Sequence, residues 1–247
     1  MNIQICQDVD SLSRQATVEF VRLANRAISS TGRFTVALAG GSTPRKLYDL
    51  LASEAFRTQV IWSNVEVFWG DERCVPPDHP DSNYRMAYEA LLSQVPIPPD
   101  LIHRMPAERD DVAAAADEYE RTIRESFDLA DGEFPRFDLI LLGMGDDGHT
   151  ASLFPGTAAI HEQRRLVVAH YVEKFKTNRM TLTPPVLNGG HNVFFLVSGE
   201  SKAATLKEVL QGESQPDRYP SQVVRPESGS LVWLIDRAAA RLLDLAA

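Results

Sequence analysis

The sequence predicts an α/β protein built on a doubly wound, mainly parallel sheet, and three observations carry that prediction. Short apolar runs alternate along the chain with longer segments whose apolar residues recur at helical spacing, the pattern of repeated strand–helix units. Several of the runs are continuous rather than alternating, Leu139-Ile140-Leu141-Leu142 above all, which suits strands buried on both faces. Many of them end abruptly in glycine or in polar clusters, as strands do where they enter functional loops. At 247 residues and 44% hydrophobic, the chain can bury a sizeable core, and one domain spanning 1–247 is expected.

The elements follow in order. Asn2–Cys6 is a short first strand. Val9–Ser29 is a helix carrying Val18, Val21, Leu23, Ala24, Ala27 and Ile28 at helical spacing, with Gly32 as its stop. Phe34–Ala39 is a second strand, and Pro44 fits the first turn of a helix that continues through Lys46–Leu51. Val65–Trp69 is a third strand. After a loop from Pro76 to Asp81, Ser82 or Asn83 caps a helix running to Leu92. The proline-rich segment at 95–100 is a linker, and Asp111–Phe127 is a helix with an alanine-rich face. Leu139–Leu142 is the central buried strand. Strands are expected at Leu166–Tyr171 and at Arg179–Thr183, the latter ended by Pro184-Pro185. Asn192–Val197 is a strand, Lys202–Leu210 a helix, Pro220–Pro226 a loop, Leu231–Ile235 the last strand and Asp236–Leu245 the last helix.

Composition excludes several classes of function. A net charge of -9, a pI near 5.2 and a mean hydropathy of -0.20 describe a globular protein and argue against nucleic acid or an anionic membrane as partner. An anionic ligand would therefore need a local basic island. Cys6 and Cys74 fit no metal spacing and no disulfide framework, and they read as reduced thiols in a cytoplasmic protein. The first ten residues lack the basic and apolar regions of a signal peptide. No apolar run approaches the ~20 residues that a membrane helix requires.

Four strand ends carry groups able to do chemistry: Gly41-Ser42-Thr43, Asp71-Glu72-Arg73, Asp147 to His149, and Ser198 to Lys202. In a parallel sheet the carboxyl ends share one edge, where open α/β sheets bind their ligands. Gly40 to Pro44, leading into a helix N-terminus, forms an anion cradle from backbone N–H groups and the hydroxyls of Ser42 and Thr43. By itself that loop also fits a plain strand–helix turn, and it is neither a dinucleotide fingerprint nor a P-loop. Ser42, Thr43, Arg179 and Lys202 suit a phosphate, the guanidinium bidentately and the ammonium as a point charge. His149 is the one side chain here able to act as a base near neutral pH without perturbation, and Asp147 is well placed to hold its ring. A plainer alternative makes Asp146 to Gly148 the cap of a helix starting near Thr150. Taken together, the groups fit a small phosphorylated ligand and an acid–base step.

The segments AGGSTPRKLYDLL, VFWGDERCVPPDHPDSNYRMA, LLGMGDDGHTASLFPGT, NRMTLT and SGESKA, in that order, resemble the glucosamine-6-phosphate isomerase/6-phosphogluconolactonase family, and its lactonase members in particular. The likeness extends from Gly40 to Asp236–Ala240. GDER followed by DSNYRMA, and DGHTASLFP, carry most of its specificity. It implies a Rossmann-like fold shared with glucosamine-6-phosphate deaminase and ribose-5-phosphate isomerase. It also implies a cytosolic enzyme, without cofactor or metal, that hydrolyses 6-phosphoglucono-1,5-lactone to 6-phosphogluconate in the oxidative pentose phosphate pathway. Carried over by residue, it makes Gly40, Gly41, Ser42, Thr43, Arg179 and Lys202 the phosphate grip. His149 becomes the catalytic base, Asp147 the acid that precedes it, and Arg73 a contact to the ligand's polar end. Asp71 matches an acid that handles a sugar proton in the deaminases, a step that lactone hydrolysis lacks.

Two other activities belong to the same resemblance. A sugar-phosphate isomerase or deaminase would need the ring-opening glutamate that those relatives carry in DGHIAFNEP, and Phe154 stands at that position. A sugar-phosphate-sensing regulator would append a DNA-binding helix pair, for which no room is expected before Phe34. Monomer and dimer both remain open, as does the choice between Asp146 and Asp147 as the partner of His149.

Overall fold

The computed structural model describes residues 2–244. Its strands are Asn2–Cys6 (β1), Phe34–Leu38 (β2), Val65–Trp69 (β3), Asp71–Arg73 (β4), Leu139–Leu142 (β5), Val167–Val172 (β6), Thr177–Leu182 (β7), Asn192–Val197 (β8) and Ser230–Asp236 (β9). The α-helices are Val9–Thr31 (α1), Ser42–Ala52 (α2), Asn83–Ala87 (α3), Val112–Phe127 (α4), Pro184–Gly189 (α5), Ala203–Gln211 (α6) and Arg237–Ala240 (α7).

Six strands form one sheet in the order β1-β9-β8-β5-β2-β3, and every pairing in it is parallel. Every residue of β2, β3 and β5 is buried, so both faces of the sheet's centre are covered, as the continuous apolar runs require. From β2 the chain moves outward to β3, then returns to the other side of β2 as β5 and proceeds to β8 and β9. The topological switch point therefore lies between β2 and β5, where diverging loops open a crevice at the carboxyl ends.

Helix limits follow local chemistry. Asp8 and Ser11 form a capping box at the start of α1, and Gly32, at φ 82, closes it in the left-handed conformation. Ser82, rather than Asn83, is the cap of α3, accepting the Arg85 N–H at 3.1 Å. That helix reaches Leu92 through a π-helical turn at Tyr88–Leu92.

The structure departs from the sequence expectation at several points. β6 and β7 leave the parallel sheet and form an antiparallel ribbon with β4. Only residues 173–176 join β6 to β7, far fewer than the dozen or so that a parallel crossover needs, and Lys176 turns the chain at φ 50. Pro184-Pro185 does end β7, but the prolines also open α5, where their missing N–H groups cost nothing. No helix starts near Thr150. Ala151 is at φ 48, and the Thr150 hydroxyl donates to the Gly143 carbonyl at 2.9 Å, so the chain folds back instead. The last helix is short, ending at Ala240, and Leu245 lies outside the described residues.

Gly70 joins the two sheets: its N–H donates to the Leu38 carbonyl at 2.9 Å, and its carbonyl accepts the Leu182 N–H at 2.8 Å. The next residues are fixed by Glu72, which is buried. Its Oε1 accepts the N–H groups of Arg73 (2.8 Å) and Asn83 (2.7 Å). Its Oε2 accepts the Tyr84 N–H (2.8 Å) and the Ser82 hydroxyl (3.2 Å). One carboxylate thus ties β4 to the start of α3. Glu72→Ala should leave buried amides without acceptors and destabilise the fold by about 3 kcal/mol. A urea-unfolding midpoint within error of the parent's would show that water replaces the carboxylate at no cost.

Candidate active site

The central loop is built around a close approach. After β5, a Cβ on Gly145 would fall 2.0 Å from His149 Nδ1 and 2.8 Å from Asp147 Oδ1, so only glycine fits. The Gly145 N–H donates to the His149 carbonyl at 2.9 Å and pulls the loop back on itself. Inside that turn, His149 Nδ1 lies 2.5 Å from Asp147 Oδ1, and the His149 backbone N–H donates to the same oxygen at 3.2 Å. Asp147 Oδ2 takes a hydrogen bond from Lys174 Nζ at 2.7 Å. Burial opposes ionisation of Asp147, but the hydrogen bonds from His149 and Lys174 outweigh it and hold the carboxyl far below the usual carboxylate range. An ionised carboxylate only accepts, so the proton of neutral His149 belongs on Nδ1 and the lone pair on Nε2.

The neighbouring Asp146 has a different partner. Its Oδ1 lies 2.6 Å from Lys202 Nζ, and that hydrogen bond, foremost, lowers its pKa. Two consecutive aspartates thus face two different lysines, and Asp147 is the one that holds His149.

A cavity of about 680 Å³ at the switch point is walled by Gly40, Gly41, Arg73, His149, Arg179 and Lys202, among others. Register pairs Arg73 with Arg179 across the β4–β7 ribbon, placing two cations side by side. The ion pairs of the site belong to Lys174 and Lys202; among the described residues neither arginine has one. The Arg73 guanidinium donates to the Asp81 carbonyl, and that of Arg179 stands 5.3 Å over the Phe175 ring. Burial, and next the charge of Arg73, push the pKa of Arg179 down. Like charges held together at one wall give it a chemistry suited to an anion. Ser42 and Thr43 are on the first turn of α2, outside the cavity wall, whereas Gly40 and Gly41 form part of it. A Cβ at Gly40 would fall 1.9 Å from Asn83 Oδ1, so a glycine there lets α3 close against the loop.

Sequence reasoning named Asp71 and Phe154 without settling their places, and it missed Asn83, Ser152, Lys174 and Phe175 as members of the site. Buried Asp71 is held at Oδ2 by the Ser152 hydroxyl (2.6 Å) and at Oδ1 by Asn83 Nδ2 (3.3 Å), and all three line the cavity. Phe154 packs on the imidazole, its centroid 4.2 Å away at 30°, and Phe175 meets Phe154 edge-on at 5.5 Å. Lys174 and Phe175 come from the β6–β7 tip, and a charge in the sequence EKFK reads as a solvated turn. Among the described residues no helix is long and apolar enough to cross a membrane, and no cluster of His, Cys, Asp or Glu could hold a metal. Cys6 and Cys74 are unpaired.

A parallel sheet whose switch-point cavity joins an oriented imidazole to three cationic side chains defines an α/β protein with a cavity suited to a small anionic ligand. Known proteins narrow that class. The family of glucosamine-6-phosphate isomerases and 6-phosphogluconolactonases matches residues 7–233. A 6-phosphogluconolactonase from Synechocystis sp. is 44% identical over 232 residues, 94% of each chain. The 6-phosphogluconolactonase of Trypanosoma cruzi superimposes with a TM-score of 0.86 at 31% identity, covering 99% of this chain and 97% of that one. A monomeric glucosamine-6-phosphate deaminase shares the fold, at TM-score 0.81 and 23% identity, over 98% of this chain and all of its own. The chain belongs to this glucosamine-6-phosphate isomerase/6-phosphogluconolactonase family.

The close approach at Gly145 is testable without any substrate. Gly145→Ala should fold yet separate His149 from Asp147, abolishing the far-downfield proton resonance expected of the short Nδ1–H hydrogen bond. Persistence of that resonance in the variant would mean that the loop yields elsewhere.

Proposed function

We propose that this chain hydrolyses 6-phospho-D-glucono-1,5-lactone to 6-phospho-D-gluconate in the oxidative pentose phosphate pathway, with His149 as general base. The observation that carries the proposal is the Asp147-held imidazole lining the same cavity as Arg73, Arg179 and Lys202. The lactonases among its relatives support the choice of reaction. Nε2 of neutral His149 takes a proton from water while the water oxygen bonds to C1 of the lactone. Charge growing on the carbonyl oxygen is offset by Arg73 or by backbone N–H groups. As the tetrahedral intermediate collapses, the bond from C1 to the ring oxygen breaks, and the imidazolium returns its proton to that oxygen. Asp147 keeps the ring oriented and stabilises the cation while it exists. Arg179, Lys202 and the backbone of Gly40 and Gly41 hold the phosphate, whose remoteness from C1 makes its contribution one of positioning. No covalent nucleophile is needed, because the ester is already activated. With two unpaired thiols and no spanning helix among the described residues, a cytoplasmic location fits.

Phe154 separates this reaction from the deaminase chemistry of the wider family. Ring opening of an amino sugar requires an acid near the ring oxygen, and an aromatic ring packed on His149 supplies none.

The direct test supplies freshly made 6-phosphogluconolactone and follows its loss above the spontaneous background, with glucosamine-6-phosphate as control. Lactone hydrolysis without ammonia release is expected; ammonia release at a comparable rate would overturn the assignment. His149→Asn should keep the fold and slow turnover by ~10²–10⁴. A folded variant within about twofold of the parent rate would remove His149 from that role.

The anion site is tested separately. Arg179→Ala and Lys202→Ala should each weaken binding of the phosphorylated lactone by ~1.5–3 kcal/mol and hardly alter hydrolysis of unphosphorylated gluconolactone. Equal losses on both substrates would place these side chains at the lactone end or in the scaffold.

A further inference from the structure

The tip of the β6–β7 ribbon grips His149 in two ways that hydrolysis by itself does not explain. Along the ring edge, Lys174 Nζ binds Asp147 Oδ2 at 2.7 Å while Asp147 Oδ1 binds His149 Nδ1 at 2.5 Å. Along the ring face, Phe175 packs edge-on against Phe154 at 5.5 Å, and Phe154 packs on the imidazole at 4.2 Å. Both chains of contact begin at consecutive residues of one turn, which Lys176 completes at φ 50.

A carboxylate this close to an imidazole has two opposing effects on a base. It fixes the tautomer, which helps, but its negative charge also stabilises the imidazolium, and a histidine already protonated cannot accept a proton from water. An ammonium on the far oxygen of the same carboxylate cancels much of that charge and leaves the hydrogen bond in place. From this geometry, and resting on the hydrolase reading above, we propose that Lys174 is a positioning residue that lets Asp147 orient His149 while keeping the imidazole neutral at the pH of catalysis.

The other charges around His149 are of two kinds. Asp146 and Lys202 form an ion pair of their own. Arg73, Arg179 and the buried Asp71 line the cavity from β4 and β7, and Tyr219 packs against Gly148 from the segment after α6. None of these pairs with Lys174, whose other neighbour is the uncharged Phe175 ring 5.4 Å from Nζ, so a change in the titration of His149 that arginine restores is assignable to the lysine's charge. Lys174 is 55% exposed and Asp147 25%, so solvent moderates the interaction.

The experiment compares the parent, Lys174→Gln and Lys174→Arg by two readouts. The first is the pH dependence of kcat/KM for background-corrected hydrolysis of 6-phosphogluconolactone. The second is the NMR titration of the His149 ring in the substrate-free protein. Loss of the ammonium favours imidazolium, so in Lys174→Gln the acid limb and the ring titration should both move to higher pH, by about 0.5 units or more. Lys174→Arg should restore both. A uniform drop in kcat/KM with an unmoved limb would make Lys174 a merely structural support and overturn the proposal, as would identical ring titrations. A shifted ring titration in a protein with no lactonase activity would support the role of Lys174 and count against the hydrolase reading alone.

Discussion

Every functional side chain of this protein depends on β2 having β3 on one side and β5 on the other. The chain leaves β2 in one direction and returns past it in the other, so the loops after β2 and β5 part over the sheet edge. One of those loops supplies Gly40 and Gly41, the other His149. The crevice closes because β3 does not simply end. Gly70 bonds back to β2 and across to β7, and the chain turns out of the parallel sheet into the ribbon. A three-residue strand of Asp, Glu and Arg then divides its work: Asp71 and Arg73 face the cavity, and Glu72 is spent on the backbone of α3.

An acidic chain has to present a basic cavity, and it does so by pairing selectively. With a net charge of -9, the protein as a whole repels anions, but that field is screened within ~8 Å at physiological salt. Inside the site, Asp146 neutralises Lys202 and Asp147 neutralises Lys174, so the charges left over are those of Arg73 and Arg179. On the proposed reading Arg179 would take the phosphate, to whose oxygens a guanidinium can give parallel hydrogen bonds, and Arg73 would be left for the lactone end. A phosphate reaching Lys202 would have to share it with Asp146. Part of the binding energy would thus go into an exchange of ion-pair partners, and the exposed Asp146, easily rehydrated, makes that exchange inexpensive.

The sequence was legible where local pattern and burial agree. Apolar-rich runs marked β2, β3, β5 and β8, glycines marked the loops behind them, and His149 with an aspartate close before it marked the reactive loop. The second sheet was illegible because nothing in Asp71-Glu72-Arg73 favours a strand by itself; pairing with β7 makes it one. The ribbon's antiparallel sense depends on the shortness of the β6–β7 turn, and residues 173–176 offered no glycine or asparagine to signal it. Lys174, Phe175, Asn83 and Ser152 gain their places from that long-range pairing, so no local pattern could have named them. The choice of Asp147 over Asp146 is likewise geometric, set by the turn that Gly145 permits.

Position 154 shows how little separates one chemistry from another on this scaffold. A carboxylate there would lie against the imidazole where the phenyl ring now packs at 4.2 Å, giving His149 a second negative neighbour. Two acids around one imidazole favour the imidazolium, which suits a general acid and disables a base. Phenylalanine adds no charge and covers one face of the ring. With Nδ1 committed to Asp147, the only basic edge left is Nε2. The single acid that remains is itself neutralised by Lys174. Aromatic floor and lysine thus act in the same sense: the phenyl ring brings no negative charge to the imidazole, and the ammonium offsets the charge of the carboxylate that holds it.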